Sequence, residues 1–207
     1  MVVIAGHNGA GKTTIYKERI EAAIAAFLDA HINADDIERS ISDDLGQGSH
    51  SKEGLEGIAA AEATRLRRQY LDQDISFSFE TVFSDPVKEK VLFMEEARRR
   101  GYLVVLLAVG LESIEKSKER VAIRHANGGH NIRVDKLEHR YERVLLNFAH
   151  GARVASLAIY LDNSEDREED GANTYWDIAF FEDGVLVSKG DAPPEWWLKV
   201  ERIQSRI

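Results

Sequence analysis

Short apolar runs alternate with amphipathic stretches along most of the chain. Residues 2–5 are apolar at every position and end at Gly6, a pattern typical of a strand that is buried on both faces. A Gly-rich turn follows, and then a helix is predicted over about 11–29. The apolar residues of its predicted buried face recur at i, i+4, i+7 and i+8, and they are Ile20, Ile24, Phe27 and Leu28.

The same strand–helix alternation continues after this first unit. A helix that begins near Pro86 is predicted to bury Val87, Val91 and Met94 and to end at Gly101. The other predicted strands are 31–32, 75–79, 103–109 and 155–161, and the other predicted helices are 52–72, 112–126 and 133–149. Such an order predicts an α/β fold with a mainly parallel, five-stranded sheet flanked by helices.

The last quarter of the chain has a different pattern. Two alternating runs, 176–181 and 185–188, are separated by Glu182-Asp183-Gly184 and predict a β-hairpin. The hairpin and tail span about 174–207, and we expect them to cover an edge of the sheet with apolar surface. No long linker divides the 207 residues, so we expect a single domain over 1–207.

Composition narrows the class of protein. There is no cysteine, which excludes disulfide scaffolds, thiolate metal sites and cysteine nucleophiles. The formal net charge of −9 argues against binding to an extended nucleic acid, because such binding depends on phosphate neutralisation. No apolar run is long enough for a membrane span, and the first residues lack the basic flank of a secretory signal. A cytoplasmic protein without membrane contact is expected.

The turn after the first strand carries the strongest chemical signal. It fits G-x-x-x-x-G-K-[ST] between a strand and a helix, with the sequence Gly6-His7-Asn8-Gly9-Ala10-Gly11-Lys12-Thr13, followed by Thr14. Backbone N–H groups of such a turn and the positive end of the following helix bind phosphate. Lys12 is expected to reach the β- and γ-phosphates, and the Thr13 hydroxyl to ligate Mg²⁺. The motif predicts a site for ATP and Mg²⁺.

A nucleotide site of this kind can belong to a switch, a motor or a kinase. The guanine-reading sequence Asn-Lys-x-Asp of a GTPase switch is absent. No central strand ends in the Asp-Glu pair that is usual in motor ATPases. These observations favour a small phosphotransferase with a P-loop kinase fold, in which one chain binds both substrates.

Two acids follow predicted strands at the edge where ligands of parallel sheets bind. Asp35 follows the second strand and is placed to orient an acceptor hydroxyl and take its proton. A competing interpretation of Asp35 is an N-cap for the next helix. Glu80 ends the third strand, where it is expected to hold substrate hydroxyls rather than merely to cap the strand, with Thr81 as a weaker companion.

Basic residues are concentrated in the stretch 118–153, which carries +4 while the rest of the chain carries −13. Arg120 and Arg124 lie one helical turn apart, Gly128-Gly129-His130 interrupts the helix, and Arg133 resumes the basic run. An Arg-rich helical lid over about 112–150 is predicted, whose guanidinium groups would neutralise charge on a transferred phosphoryl group. The alternative is a solvated helix face with nearby acids.

Together these motifs resemble the zeta toxin family of P-loop kinases. They span residues 2–164, about four-fifths of the chain. The matching residues are Ile4 to Thr14, Ile32-Asn33-Ala34-Asp35, Ser78-Phe79-Glu80-Thr81, Arg120-Val121-Ala122-Ile123-Arg124, Gly128-Gly129-His130-Asn131-Ile132, Arg140-Tyr141 and Leu161-Asp162-Asn163-Ser164.

The resemblance implies transfer of the ATP γ-phosphate to the 3′-hydroxyl of UDP-N-acetylglucosamine or a related nucleotide sugar. Asp35 then looks like the catalytic base and Glu80 like the sugar-binding acid. Arg120 and Arg133 resemble the paired arginines that hold the phosphates, with Arg124 as an alternative to Arg120. The resemblance also implies that Asn163 lies beside adenine, and the expected substrate side is completed by Asn33, Thr81 and His130.

Two further functions remain open on the sequence. One is a kinase for another acceptor, such as a nucleotide, a metabolite or a nucleic-acid end, and the other is a nucleotide-binding regulator with little transfer activity. Asp35 and the lid arginines argue against the regulator, which needs neither. The resemblance also implies a possible antitoxin partner. The interpretation against such a partner is that the chain begins directly at its first strand, without the N-terminal extension that the toxins use for antitoxin contact.

Overall fold

The computed structural model describes residues 1–45, 51–126, 132–165 and 174–207. Within these ranges one sheet has the strand order β2-β3-β1-β4-β5-β6-β7. The strands are β1 (Val2–Gly6), β2 (Ala30–Ile32), β3 (Phe77–Thr81), β4 (Val105–Gly110), β5 (Leu157–Asp162), β6 (Trp176–Glu182) and β7 (Val185–Lys189). The first five in sequence are parallel, and β6 and β7 are antiparallel, so the predicted α/β fold and C-terminal hairpin are confirmed.

Helices lie on both faces of this sheet. A π-helical turn (Tyr16–Ile20) joins α1 (Lys12–Ile15) to α2 (Glu21–Ile24), so these three segments form one continuous helix. The others are α3 (Ala34–Leu45), α4 (Lys52–Asp72), α5 (Glu89–Arg99), α6 (Ile114–Ala126), α7 (Val134–Val154) and α8 (Glu195–Gln204). Among the described residues, none of these helices has the length and apolar character needed to cross a bilayer.

The central strands are buried on both faces, which explains their unbroken apolar sequence. In β1, Val3 packs into the core beneath α5, α7 and α8, whereas Ile4 packs into the core beneath α1. In β4, Leu106 and Leu107 divide between the same two cores. Because successive side chains of a strand point to opposite faces, a strand between two helical layers must be apolar at every position.

Two predicted helix faces differ from the structure. Phe27 is 75% exposed because α2 already ends at Ile24, so the helical periodicity does not extend to residue 27. Val87 is 71% exposed because α5 begins only at Glu89. Lys88, the residue before Glu89, has a left-handed φ of 55°, which prevents the helix from starting at Pro86.

The tail helix α8 is anchored by two adjacent tryptophans. Trp196 and Trp197 are both fully buried, and the Trp197 ring lies 4.8 Å from that of Tyr160 in β5. The Trp196 ring packs so closely on Gly110 at the end of β4 that a β-carbon there would overlap it. The tail therefore covers one face of the sheet, while the hairpin extends its edge.

Burial of Trp197 predicts a large contribution of the tail to stability. Trp197→Ala should lower the free energy of unfolding by about 3–5 kcal/mol, the usual cost of deleting a buried aromatic side chain. Trp176→Ala is the matched control, because Trp176 is 53% exposed, and it should cost less than about 1 kcal/mol. Urea unfolding followed by far-UV circular dichroism measures both. Equal losses for the two variants would contradict the tail's role as part of the core.

Candidate active site

The turn between β1 and α1 has the shape that its sequence predicts. Gly9 and Gly11 have φ values of 78° and 82°, in the left-handed region that side-chain-bearing residues rarely adopt. Lys12 begins α1 directly after Gly11, and Thr14, half-buried, lies in the same first turn. This conformation and the helix N-terminus turn backbone N–H groups toward a common space, as in phosphate-binding loops.

Contacts from distant elements hold this loop from outside. The Ser117 hydroxyl in α6 donates to the carbonyl oxygen of Asn8 over 2.7 Å. The Asn163 amide after β5 donates to the carbonyl oxygen of Ala10 over 3.0 Å. The Tyr175 hydroxyl before β6 donates to the carbonyl oxygen of Gly11 over 3.0 Å. The loop is therefore fixed by residues more than a hundred positions away.

Lys12 folds back over the loop. Its ammonium group donates to the carbonyl oxygens of Gly6 and His7, each over 3.0 Å. Burial lowers the pKa of Lys12 to about 8, although the charges of Glu80 and Asp35 act in the opposite direction. A lysine whose charge is so poorly compensated, in a loop of inward N–H groups, fits an anion such as a nucleotide phosphate.

Glu80 connects the loop to the end of β3. It accepts a hydrogen bond from the Thr13 hydroxyl over 2.7 Å, and its side chain is 6% exposed. Burial raises the pKa of Glu80, but the His31 ring 3.6 Å away, the hydrogen bond from Thr13 and the charge of Lys12 outweigh it, so that the pKa is lowered overall. Glu80 is consequently ionised at neutral pH beside the hydroxyl predicted to ligate Mg²⁺.

His31 is a polar contact of this site that the sequence did not single out. Its Nε2 lies 3.6 Å from Oε1 of Glu80, and its Nδ1 lies 2.8 Å from the Ser78 hydroxyl. The ring stacks on Tyr16, with centroids 3.8 Å apart. A lone histidine in the middle of a three-residue strand carries no motif, so its role is recognised only from its contact with Glu80.

β2 leads directly into α3, the helix that carries Asp35. The Asn33 side chain accepts a hydrogen bond from the Asp35 N–H over 2.8 Å, so Asn33 caps α3 and Asp35 lies in its first turn. The Asp35 carboxylate lies 3.8 Å from the Arg124 guanidinium and is 53% exposed. The structure thus gives the capping role to Asn33. Thr81 has a local contact, because its hydroxyl accepts from the N–H of Phe83 over 3.0 Å.

The lid arginines divide into three environments. Arg120 donates to the carbonyl oxygens of Asn163 and Glu165, and so braces the turn after β5. Arg124 faces Asp35. Arg133 pairs with Asp135 within its own segment and is 73% exposed, so it is not brought to the loop. His130, with Gly128 and Gly129, lies outside the described residues.

Arg140 is a cation at the loop that was not among the predicted site residues. It donates to the Asn8 side-chain oxygen over 3.3 Å, and burial lowers its pKa. Its charge also lowers the pKa of Lys12. Arg140 directly precedes Tyr141, whose ring stacks on that of His7 with the centroids 4.4 Å apart. This part of α7 therefore packs against the loop. The helical face rather than the sequence position decides which arginine of α7 reaches the loop.

The site therefore defines a P-loop protein with two acids and several cations at the carboxyl edge of a parallel sheet. Residues 1–174 match the family model described as Zeta toxin, and the chain belongs to this family of P-loop kinases. No curated protein matches the chain.

Solved structures support the fold. One is the crystal structure of the AvrRxo1-ORF1:AvrRxo1-ORF2 complex with sulphate ions, with a TM-score of 0.61 and 17% identity over 98% of this chain. The present chain spans 62% of the length of that chain. Another comes from the PezAT chromosomal toxin–antitoxin system of Streptococcus pneumoniae, with a TM-score of 0.54, 14% identity and coverage of 99% of this chain and 85% of that one.

The burial of His7 predicts an acid-sensitive fold. Burial, with a smaller effect of the Lys12 charge, lowers the pKa of His7 to about 3, whereas the pKa of this group in the unfolded chain is about 6.5. As the pH falls through the unfolded value, only the unfolded chain takes up this proton, so stability decreases. We expect a loss of about 2 kcal/mol between about pH 7 and pH 5 from this group.

Urea unfolding at the two pH values measures this loss. His7→Phe should remove most of it, and His139→Phe, at an exposed position of α7, should leave it intact. An unchanged pH dependence in His7→Phe would show that another group is responsible.

Proposed function

We propose that the protein is an ATP-dependent kinase that transfers the γ-phosphate to the 3′-hydroxyl of UDP-N-acetylglucosamine or a related nucleotide sugar. The observation that carries the proposal is the convergence of Lys12 and Thr13 of the phosphate-binding loop with the carboxylates of Glu80 and Asp35. Transfer to a hydroxyl requires a carboxylate that can accept the hydroxyl proton, a role that nucleotide binding alone does not require.

The donor side would hold ATP through the loop N–H groups and Lys12. The Thr13 hydroxyl would ligate Mg²⁺, which supplies charge neutralisation for the β- and γ-phosphate oxygens. Lys12 must leave the carbonyl oxygens of Gly6 and His7 to reach these phosphates. The low pKa of Lys12 favours this exchange, since a phosphate compensates its charge better than two carbonyl oxygens.

Asp35 would act as the base. Its carboxylate would accept the proton of the acceptor hydroxyl as the hydroxyl oxygen bonds to the γ-phosphorus. The bond from that phosphorus to the β–γ bridging oxygen would break, and ADP would leave with the electron pair. Half-exposure lets the carboxylate meet a substrate from solvent, and the Arg124 guanidinium lies 3.8 Å away.

Glu80 would orient the acceptor. An ionised carboxylate can only accept hydrogen bonds, so it suits a sugar that presents several hydroxyl donors. Its ionised state is maintained by Thr13, His31 and Lys12.

The choice of a UDP-linked amino sugar over another hydroxyl acceptor rests on membership of the zeta toxin family. The PezAT system pairs a toxin with an antitoxin, and co-purification tests whether this chain has such a partner.

The test of the function is a transfer assay. The protein is incubated with ATP, Mg²⁺ and a panel of nucleotide sugars, and products are read as a mass increase of one phosphate. We expect phosphorylated UDP-N-acetylglucosamine and a fall in rate on the order of 10²–10⁴-fold for Asp35→Asn. Asp36→Asn is the matched control, because Asp36 is the next residue of α3 and pairs with Arg39 on the surface.

Two outcomes of the transfer assay would contradict parts of this proposal. Full turnover by Asp35→Asn would overturn its role as base. ADP release without a phosphorylated sugar would point to a different acceptor.

Arg140 in α7 and Arg133 directly before α7 lie in different environments, which predicts different kinetics. Arg140→Gln should lower kcat on the order of 10³-fold if its guanidinium neutralises the transferred phosphoryl group. Arg133→Gln should change kcat less than roughly threefold, because its side chain is exposed and pairs locally. Steady-state kinetics of the purified variants decide this. A larger effect at Arg133 than at Arg140 would mean that the segment before α7 moves onto the phosphates during turnover.

A further inference from the structure

Beyond the residues matched by the family model, Tyr175 contacts the phosphate-binding loop. The match ends at residue 174, and Tyr175 is the residue directly before β6 of the C-terminal hairpin. We infer that Tyr175 is a positioning residue that sets the direction of the loop N–H groups which bind nucleotide phosphate. This inference rests on the proposed nucleotide binding, and it gives the C-terminal hairpin a role in that site.

The contact is made to the peptide that matters for phosphate binding. The Tyr175 hydroxyl donates over 3.0 Å to the carbonyl oxygen of Gly11, which also accepts the N–H of Ile15 over 2.9 Å. In a trans peptide the carbonyl and the N–H point in opposite directions. A carbonyl of Gly11 that is held outward therefore holds the N–H of Lys12 toward the inside of the loop.

The preceding peptide is held in the same way. The Asn163 amide donates over 3.0 Å to the carbonyl oxygen of Ala10, which directs the N–H of Gly11 inward. Two successive peptides are thus oriented by side chains from the ends of two neighbouring strands, β5 and β6. Gly11 lies between these two peptides with a left-handed φ of 82°, a conformation that glycine adopts without steric cost.

Tyr175 is itself held rigidly enough to position another group. Tyr175 is only 9% exposed as a residue, and it packs in the same apolar cluster as Ile15 and Leu161. The guanidinium of Arg19, in the π-helical turn after α1, lies 5.0 Å from the ring centroid on the face of the ring. The next residue, Trp176, pairs with Asp162 of β5 and fixes the backbone.

The side chains of Tyr175 and Asn163 lie so close to Gly11 that they leave no room for a side chain there. A β-carbon at Gly11 would lie 2.8 Å from the Tyr175 hydroxyl and 2.6 Å from the Asn163 amide nitrogen. The glycine therefore allows both side chains to approach the loop backbone. The motif requires a glycine at this position, and the tyrosine occupies the space that the glycine leaves.

Tyr175→Phe tests the inference, since it removes the hydroxyl and keeps the ring and its contact with Arg19. We expect the Kd for ADP, measured by titration calorimetry on the full chain, to rise roughly two- to tenfold, the effect of one hydrogen bond. In the transfer assay the KM for ATP should rise by a similar factor while kcat is nearly unchanged.

Tyr102→Phe is the matched control for a merely structural effect. The Tyr102 hydroxyl also donates to main-chain carbonyl oxygens, those of Tyr70 and Ile75, but away from the loop. Both variants should lose some stability in urea, and only Tyr175→Phe should lose ADP affinity.

Three results would overturn the inference, and they are distinguishable. An unchanged Kd in Tyr175→Phe, or an equal loss in Tyr102→Phe, would overturn the role of Tyr175 and leave the proposed kinase function intact. Failure of the unaltered protein to bind ADP would overturn both.

Discussion

The arrangement of the site follows from the free-energy cost of burying the charged Lys12 ammonium group. Two carbonyl oxygens of its own loop and the nearby carboxylates of Glu80 and Asp35 compensate the charge only in part, which is why its pKa falls to about 8. Arg124 and Arg140 add further positive charge. The surrounding carboxylates, hydroxyls and peptides can be understood as holding this excess of positive charge in place until a polyanion binds.

The parallel sheet makes this arrangement possible because the strands that carry it end at one edge. β1 leads into the phosphate-binding loop, β2 leads through Asn33 to Asp35, and β3 ends with Glu80 and Thr81. These three strands are neighbours in the order β2-β3-β1, so residues far apart in sequence lie side by side. The central strands are buried on both faces, which makes them rigid supports for the charged side chains at their ends. Charged side chains on a flexible support would be solvated by water instead of being held in a fixed arrangement.

The sequence predicts the parts that depend on local pattern. The α/β order, the loop and the strand-end acids follow from apolar runs and from a motif whose glycines have a mechanical reason. The sequence does not predict which arginine of α7 reaches the loop, because that depends on how the helix is rotated about its axis. The contacts of His31 and Tyr175 are missed for a similar reason, since each joins elements separated by tens of residues or more. Phe27 and Val87 show that periodicity does not define where a helix ends or begins.

The hydrogen bonds of Asn163 and Tyr175 to the loop span 153 and 164 residues of sequence. Neither hydrogen bond can form until the chain has been synthesised as far as Asn163 and Tyr175. During synthesis the first residues leave the ribosome long before these partners exist. The nascent chain therefore carries a phosphate-binding motif without its outer supports, and acquires a fully braced loop only when the C-terminal hairpin is added.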